Sequence, residues 1–448
     1  MNTNSELDRI VQGFLEDRVA APPRAELLRD SLAQTSATAQ TRRRFLGRWL
    51  DRDEGAGRPA HGNKHRRGRN RPTGLMLGAT GLIAAFGVLA ISLEALDPGP
   101  VPPSVASTTR YAVAMDGSGD YDSIQAAVDA ASAGDTIAIA PGNYVESVIV
   151  DKDLTIVGDG PSGEVVLNVP EDGPLLASAD RPIRYAFHLD GAEVSLGNLT
   201  IEGSGKRMIA VVAEGGRPTI HDVSLDFGQL TGFPRSFVHV GAGAEATVRD
   251  SRANARLDVD DAVATVANLD TTGPDSVNGL VVRVMGESEV LVAENRLNGV
   301  VVHGGRVLVD RNELFAPDNC AVSISGQGAA VTATANTVRD SESGFCASGR
   351  ATATIASNEV FDSGVGISLG ADDLEVHDNL VRDNDVGILF RVGSPTVDGN
   401  TVTDNRVGLE FGSLPTTPII ADNDICRNEN DLRIAGSDEP PSIADQVC

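Results

Sequence analysis

The C-terminal half of this chain repeats a strand-sized pattern at nearly constant intervals. Small residues mark matching points of the repeat, 20 to 23 residues apart: Gly279, Gly299, Ala321, Gly344, Gly366, Gly387 and Gly408. A fixed period of this size indicates stacked coils, because one coil alone cannot bury its own apolar face. The repeat therefore predicts a solenoid and leaves the chemistry of the protein open.

Short apolar alternations within each repeat predict β-strands. Val402, Val407 and Leu409 illustrate the pattern, with Asn, Asp and Gly between the runs. Period-2 alternation is typical of strands, and the helical i, i+3, i+4 spacing is absent. Leucine-rich repeats have a similar period, but their L-x-x-L-x-L frame and helical half are missing. We therefore predict an all-β fold of parallel β-helix coils around a narrow aliphatic interior.

An asparagine series keeps step with the coils: Asn295, Asn312, Asn336, Asn358, Asn379, Asn400 and Asn423. Asparagine tolerates left-handed backbone geometry and forms hydrogen bonds with neighbouring backbone. Stacked coils would place successive amides about 4.8 Å apart, within reach of one another. The series predicts a structural Asn ladder rather than a ligand site.

A short amphipathic helix precedes the coils. Ile124, Val128 and Ala131 have helical spacing, and a Ser or Asp stands before them as an N-cap. Two strands split by Pro141-Gly142 follow. A helix at this point would cover the first unpaired coil of an open β-stack.

These opening segments resemble the pectin lyase-like superfamily of right-handed parallel β-helix proteins. The motifs are D-G-S-G-D-Y-D-S-I-Q-A-A-V-D-A-A from Asp116, G-D-T-I-A-I-A-P-G-N-Y-V-E from Gly134 and L-T-I-V-G-D-G from Leu154. They are similar to the N-terminal coils of pectin methylesterases and NosD-like periplasmic proteins. The resemblance covers residues 110–435 and implies a single-stranded right-handed parallel β-helix with a capping helix.

The resemblance does not extend to the catalytic motifs of these families. Residues 142–146 match the G-x-Y-x-E motif of pectin methylesterases, which lies outside their acid–base machinery, and residues 227–230 lack the acid of their Q-D-T-L motif. The nucleophilic aspartate and its arginine are also missing. Of the polygalacturonase pattern, only the doublets Asp260-Asp261 and Asp372-Asp373 and a partial echo at His303-Gly304-Gly305 remain. Catalytic residues therefore stay unassigned.

A ligand would bind where the repeat is broken, because loops there wall off a cleft. The period fails at about residues 226–236 and 256–278. Basic, acidic and aromatic side chains around these breaks are candidate ligand-facing residues, although ordinary solvated loop residues are the simpler interpretation: Arg184, Tyr185, His188, Lys206, Arg207, Asp226, Gln229, Arg235, Asp258, Asp260 and Asp261. Two classes of function remain open. One is binding or scaffolding on polysaccharide, and the other is a lyase, hydrolase or esterase of an unrecognised branch.

Residues 73–94 predict one transmembrane helix. The stretch from Gly74 to Leu93 has no charge and is long enough to cross a bilayer. Basic residues precede it and acidic residues follow, which favours a cytoplasmic N-terminus and a β-helix outside the cell membrane. Residues 1–72 then form a partly helical cytoplasmic segment that could need a partner to fold. Residues 95–109 form a Pro-rich linker, and residues 110–448 form the β-helix domain.

Charge divides the chain along the same line. Residues 1–72 carry 15 basic and 9 acidic residues, and the remainder carries 22 and 54, a net charge of −32. This acidity argues against nucleic acid as a partner and counts against acidic glycans. No motif specifies a metal or cofactor, and the NosD resemblance lacks a Met-His cluster for copper. Calcium is possible without a specific motif.

All four cysteines follow the predicted span. An even number outside the membrane favours disulfides. Cys426 with Cys448 would fasten the C-terminal tail, and Cys320 with Cys346 lie about one coil apart.

Overall fold

The computed structural model describes residues 108–176, 183–203, 207–226, 235–271, 279–412 and 418–434. The predicted cytoplasmic segment and transmembrane helix lie outside these residues, as does most of the predicted linker. In the part of the chain described here, no helix combines the length and apolar character required to span a membrane.

The described residues form a parallel β-helix of about 13 turns with three strand faces. The alternating apolar pattern produces it, because each coil adds one strand to every face and turns its apolar side chains inward. Face 1 and face 2 together form a 25-stranded sheet, and face 3 is a 13-stranded sheet. The prediction of stacked parallel coils is confirmed.

Face 1 contains β1 (Arg110–Val113), β2 (Thr136–Ile139), β5 (Leu154–Gly158), β8 (Val194–Glu202), β10 (Thr219–Asp226), β12 (Glu245–Arg249), β15 (Val263–Ala267), β18 (Glu289–Ala293), β21 (Arg306–Asp310), β24 (Ala330–Thr334), β27 (Thr352–Ala356), β30 (Leu374–His377), β33 (Thr396–Asp398) and β36 (Ile419–Ala421). The strands β8 and β10 continue into face 2 through Asn198 and Asp222, both at φ 53°. Face 2 further contains β3 (Gly142–Val145), β6 (Val165–Asn168), β13 (Arg252–Ala253), β16 (Asp270–Thr271), β19 (Arg296–Leu297), β22 (Glu313–Phe315), β25 (Thr337–Arg339), β28 (Glu359–Phe361), β31 (Leu380–Arg382), β34 (Thr401–Thr403) and β37 (Asp424–Cys426).

Face 3 carries the side chains on which the candidate site is built. Its strands are β4 (Val148–Val150), β7 (Arg184–Asp190), β9 (Met208–Glu214), β11 (Arg235–Gly241), β14 (Arg256–Asp260), β17 (Val281–Met285), β20 (Gly299–Val302), β23 (Cys320–Ile324), β26 (Ser343–Ser348), β29 (Val365–Gly370), β32 (Val386–Phe390), β35 (Val407–Phe411) and β38 (Asn430–Ile434).

Aliphatic stacks fill the interior, as the low aromatic content predicts. On face 1, Ile137, Ile156 and Leu196 are in register on successive strands and have no solvent exposure. On face 3, Val211, Val238 and Leu257 form a similar column. Burying one such side chain stabilises the fold by about 1.5–3 kcal/mol. The repeated small residues have a related role. A Cβ on Gly366 would lie 2.6 Å from the carbonyl oxygen of Gly387 in the next coil.

The helix α1 (Ile124–Ala130) precedes the second coil and confirms the predicted cap helix. The side chain of Ser123 accepts a hydrogen bond from the Ala126 N–H as its N-cap. The carboxylate of Glu146 accepts from the N–H groups of Ile124 and Gln125 at 2.9 and 3.1 Å. The final glutamate of the G-x-Y-x-E motif therefore has a structural contact in this chain.

The asparagine series forms a continuous ladder inside the coils. From Asn295 to Asn423, the Nδ2 of each donates to the Oδ1 of the next at 2.8 to 3.0 Å. The same amides bond to backbone carbonyls, as Asn312 does to Val292 at 2.9 Å. A second ladder, which the sequence pattern did not predict, runs through Asn384, Asn405 and Asn428 with amide–amide hydrogen bonds of 3.0 Å.

The predicted disulfide between Cys320 and Cys346 is present on β23 and β26, with Cα atoms 6.0 Å apart. The register explains their uneven spacing within the repeat, because Cys320 pairs with Ser343, and Cys346 pairs with Ser323. Cys448 lies outside the described residues, so the bond between Cys426 and Cys448 stays a prediction.

Candidate functional site

A groove of about 530 Å³ crosses face 3 at β14, β17, β20 and β23. The loop that leads into β23 supplies one wall through Pro317 and Asp318. Its polar lining comes from arginine, asparagine, histidine, aspartate and serine side chains: Arg256, Arg283, Asn298, His303, Asp318, Asn319 and Ser323. Its volume falls within the range of small-molecule sites, and this lining offers hydrogen-bond donors and acceptors in quantity. We call it the face-3 groove.

Both arginines of the lining form ion pairs with one buried carboxylate. Asp258 has no solvent exposure, and its carboxylate lies 3.0 Å from Arg283 Nε and 3.9 Å from Arg256 Nε. The Ser236 hydroxyl donates a further, short hydrogen bond to it. A buried carboxylate needs such partners because leaving it unpaired costs several kcal/mol. Asp258 therefore forms ion pairs with both arginines that line the face-3 groove.

Strand register brings Asp258, Arg283 and a buried histidine side by side. His239, Asp258 and Arg283 occupy matching positions on β11, β14 and β17, so their side chains leave the same side of the sheet. His239 is 2% exposed, and burial lowers the pKa of its imidazole. A neutral histidine thus packs beside the ion-paired Asp258.

Among the described carboxyl groups, Asp260 has a pKa well above the ordinary value of a free carboxyl. Burial raises its pKa to about 6, and the negative charges of Asp261 and Asp258 add to the effect. Asp261 accepts a hydrogen bond from the Glu287 N–H at 2.8 Å. Gly286 packs closely against Asp261, since a Cβ at residue 286 would lie 2.1 Å from Asp261 Oδ1. A carboxyl with this pKa can hold a proton in mildly acidic conditions.

A second polar pair lies two strands upstream on face 3. His188 Nε2 is 3.0 Å from Glu214 Oε2, across β7 and β9. The Tyr185 ring contacts His188 edge-on, with ring centroids 5.6 Å apart. Tyr185 is only 3% exposed and packs with Leu176 and Ile209 in a small apolar cluster outside the main core.

Most of the candidate ligand-facing residues that the structure describes lie on face 3, and some of them are buried. Arg184, Tyr185 and His188 lie on β7, Asp258 and Asp260 on β14, and Asp261 follows directly. The Arg184 N–H donates to the Arg207 carbonyl at 3.2 Å. Asp226 and Arg235 end β10 and begin β11, while Lys206 and Gln229 lie outside the described residues. Tyr185 and Asp258 are buried, and their role toward a ligand stays a prediction.

Most of the lining of the face-3 groove was not predicted. Arg256, Arg283 and Asn298 are not among the predicted residues, because the period is broken over residues 256–278 and the sequence alone does not align the coils on either side. His303 belongs only to a partial motif match. Its Nδ1 lies 2.9 Å from Ser325 Oγ. Among the described residues, no group of three or more His, Cys, Asp or Glu side chains could hold a metal ion.

Comparison with known proteins supports the fold. Residues 287–425 match the family model described as "Right handed beta helix region", which gives the hand of the coils in that part of the chain. No curated protein sequence matches the chain.

The solved structures that match the chain are distant in sequence. The Azotobacter vinelandii mannuronan C-5 epimerase AlgE4 A-module is 16% identical, covering 72% of this chain and 94% of its own, with a TM-score of 0.40. A mannuronic acid specific polysaccharide family 6 lyase from human gut microbiota is 12% identical, with 70% and 83% coverage and a TM-score of 0.38. A Yersinia enterocolitica family 28 exopolygalacturonase is 11% identical, with 68% and 75% coverage and a TM-score of 0.31.

Proposed function

We propose that this right-handed parallel β-helix protein binds polysaccharide in the face-3 groove. The observation that carries the proposal is the lining of the groove, where Arg256, Arg283 and Asn298 stand beside His303 and Ser323 in one concavity. Sugar hydroxyls are recognised by planar, directional groups of these types. The extended sheet face beside the groove can accommodate a chain longer than the units held within it.

The two guanidinium groups of the groove favour sugar units that carry a carboxylate. Arg256, Arg283 and Asp318 line the groove with a formal charge of +1, and the buried Asp258 pairs with both arginines. A guanidinium group matches a carboxylate in two parallel hydrogen bonds. The net charge of −32 outside residues 1–72 opposes such a ligand at long range, so we expect calcium or moderate salt to assist binding.

Acid–base catalysis is a second candidate function, and the raised pKa of Asp260 favours it. A general acid must keep its proton near the working pH, and a carboxyl with a pKa of about 6 meets that need. Hydrolysis or elimination would also require a base, for which His188 beside Glu214 is a candidate on the same face.

We further propose that residues 73–94 anchor the protein in the cell membrane with the β-helix outside. The uncharged stretch and its basic flank support this topology. It would place the face-3 groove where cell-wall or environmental polysaccharide is present.

Affinity electrophoresis of the full-length protein tests binding directly. We expect gels containing polygalacturonate or alginate to retard the protein, and gels containing a neutral glucan to have less effect. Mass spectrometry of the recovered polysaccharide separates the two candidate functions, because shortened or unsaturated products would indicate catalysis. Migration unchanged in every gel, with and without calcium, would contradict the proposal.

A further inference from the structure

A serine, a histidine and an aspartate are aligned on face 1, on a different sheet from the face-3 groove. Ser195 Oγ lies 3.3 Å from His221 Nε2, and His221 Nδ1 lies 2.8 Å from Asp222 Oδ2. Nucleophilic hydroxyls are activated by a base in this arrangement, with a third group orienting the base. We propose that Ser195 is a nucleophile toward acyl esters, that His221 is its general base, and that Asp222 positions the imidazole.

Gly197 allows the imidazole to reach the serine. Register pairs His221 with Gly197, and Thr219 with Ser195, so that Ser195 is diagonal to His221 on the outer surface. A Cβ on residue 197 would lie 2.3 Å from the Cε1 atom of the His221 ring. The ring therefore lies over the glycine, and its side chain is 22% exposed.

Asp222 fixes the role of each ring nitrogen. Its carboxylate can only accept a hydrogen bond, so His221 Nδ1 carries the proton between them. The Nε2 lone pair is then available to accept the Ser195 hydroxyl proton. Asp222 has φ 53°, a backbone region that Asp and Asn adopt more readily than most residues.

A second His–Asp pair in the same chain shows which features are specific to the first. His377 Nδ1 lies 2.9 Å from Asp378 Oδ2, and Asp378 has φ 56°. Here register places Ala356 opposite the histidine and Thr354 at the diagonal position. The His377 side chain is 41% exposed. The His–Asp contact is thus a feature of this corner, whereas Gly197 and Ser195 distinguish the proposed site.

An open groove of about 540 Å³ lies against the serine and indicates the class of substrate. Thr155, Thr219 and Arg217 line it beside Ser195 and offer donors to a carbonyl oxygen. Asp153 and Glu193 line the same groove, and Arg217 Nη1 is 3.1 Å from Glu193 Oε1. These carboxylates disfavour an anionic ligand. We therefore assign the site to uncharged, short-chain O-acyl esters, independently of polysaccharide binding on face 3.

The reaction balances with water as the co-reactant. Ser195 Oγ forms a bond with the acyl carbon while its proton passes to His221 Nε2. The ester C–O bond then breaks, and the imidazolium returns that proton to the leaving alkoxide. Water, deprotonated by His221, releases the carboxylic acid and restores Ser195.

Labelling of the full-length protein with a fluorophosphonate probe tests the proposal. Serine attack forms an Oγ–P bond, expels fluoride and passes the serine proton to the base. We expect the adduct on the peptide containing Ser195, no adduct there in Ser195→Ala, and at least tenfold slower labelling in His221→Gln. His377→Gln is the matched control and should label at the wild-type rate.

Gly197→Ala keeps all three polar residues and displaces the ring, so it tests the geometry separately. We expect it to slow labelling at least tenfold while thermal melting shows a folded protein. Asp222→Asn keeps the left-handed corner, and hydrolysis of p-nitrophenyl acetate should then show a lower kcat with KM unchanged. Absence of an adduct at Ser195, or equal labelling rates in the wild type, His221→Gln and Gly197→Ala, would overturn the assignment.

Discussion

The carboxylate of Glu146 accepts a hydrogen bond from the backbone N–H of Ile124 at 2.9 Å, which ties the second coil to the first turn of α1. Ser123 donates to the same carboxylate at 3.0 Å. We expect Glu146→Ala to destabilise the protein by about 1–2 kcal/mol, as loss of a helix cap does. Chemical denaturation measures this. The control Glu171→Ala removes an exposed glutamate and should leave the free energy of unfolding nearly unchanged.

Substitution of an asparagine in the centre of the ladder should lower the stability of the protein more than substitution of an exposed asparagine. Asn358 is 2% exposed, and its amide bonds to Asn379 and to two backbone carbonyls. Asn358→Ala leaves these buried groups unsatisfied, so we expect a loss of about 2–4 kcal/mol in unfolding free energy. Asn319→Ala, at an exposed position, serves as the matched control. Equal effects from both substitutions would mean that the ladder contributes little to stability.

Reduction of the Cys320–Cys346 bond should lower the thermal midpoint. The bond closes a loop with a sequence separation of 26 residues. Loop-closure entropy of that size corresponds to about 3.5 kcal/mol of stabilisation. Thermal melts with and without reductant measure the change, and the drop should be smaller in the Cys320→Ser/Cys346→Ser double variant, which keeps only the predicted Cys426–Cys448 bond. A wild-type midpoint that reductant leaves unchanged would contradict this prediction.

Asp260 should make stability depend on pH. Burial, with Asp261 and Asp258, raises its folded-state pKa from the ordinary 3.8 to about 6. Its stabilising contribution is therefore complete below pH 3.8 and is lost as the pH rises through 6. We expect Asp260→Asn to gain stability relative to the wild type between pH 4 and pH 7, by on the order of 1–3 kcal/mol after allowance for solvent screening.

The pH dependence of unfolding in urea measures the Asp260 effect. Asp372→Asn, which removes an exposed carboxyl, is the matched control. An Asp260→Asn variant whose stability follows the wild type at every pH would show that Asp260 has an ordinary pKa.

The regular coils could be predicted from the sequence because their repeat is local and periodic. Gly366 and Gly387, for example, stand one period apart and meet in adjacent coils. The second ladder was not predicted because serines occupy its N-terminal positions. There Ser363 Oγ, in place of an asparagine, accepts a hydrogen bond from the Ser341 N–H. The pattern of a single residue type therefore does not predict this ladder.

The face-3 groove was harder to predict because it depends on register across an irregular segment. Asp258 and Arg283 lie 25 residues apart in the sequence and pair on adjacent strands. The repeat of 20 to 23 residues in the regular coils does not predict this pair. The burial of Tyr185 was unpredictable for a similar reason, since its apolar neighbours come from several coils.

Calorimetric titration of the full-length protein with a uronate oligosaccharide tests the central claim, that the face-3 groove binds polysaccharide. Arg256 lines the groove, whereas Arg306 is an exposed arginine on face 1, so the two give variants of equal charge. We predict that Arg256→Ala weakens binding about tenfold, which is 1.4 kcal/mol, and that Arg306→Ala binds as the wild type does. Equal affinity in all three proteins, or no heat of binding in any of them, would contradict the account.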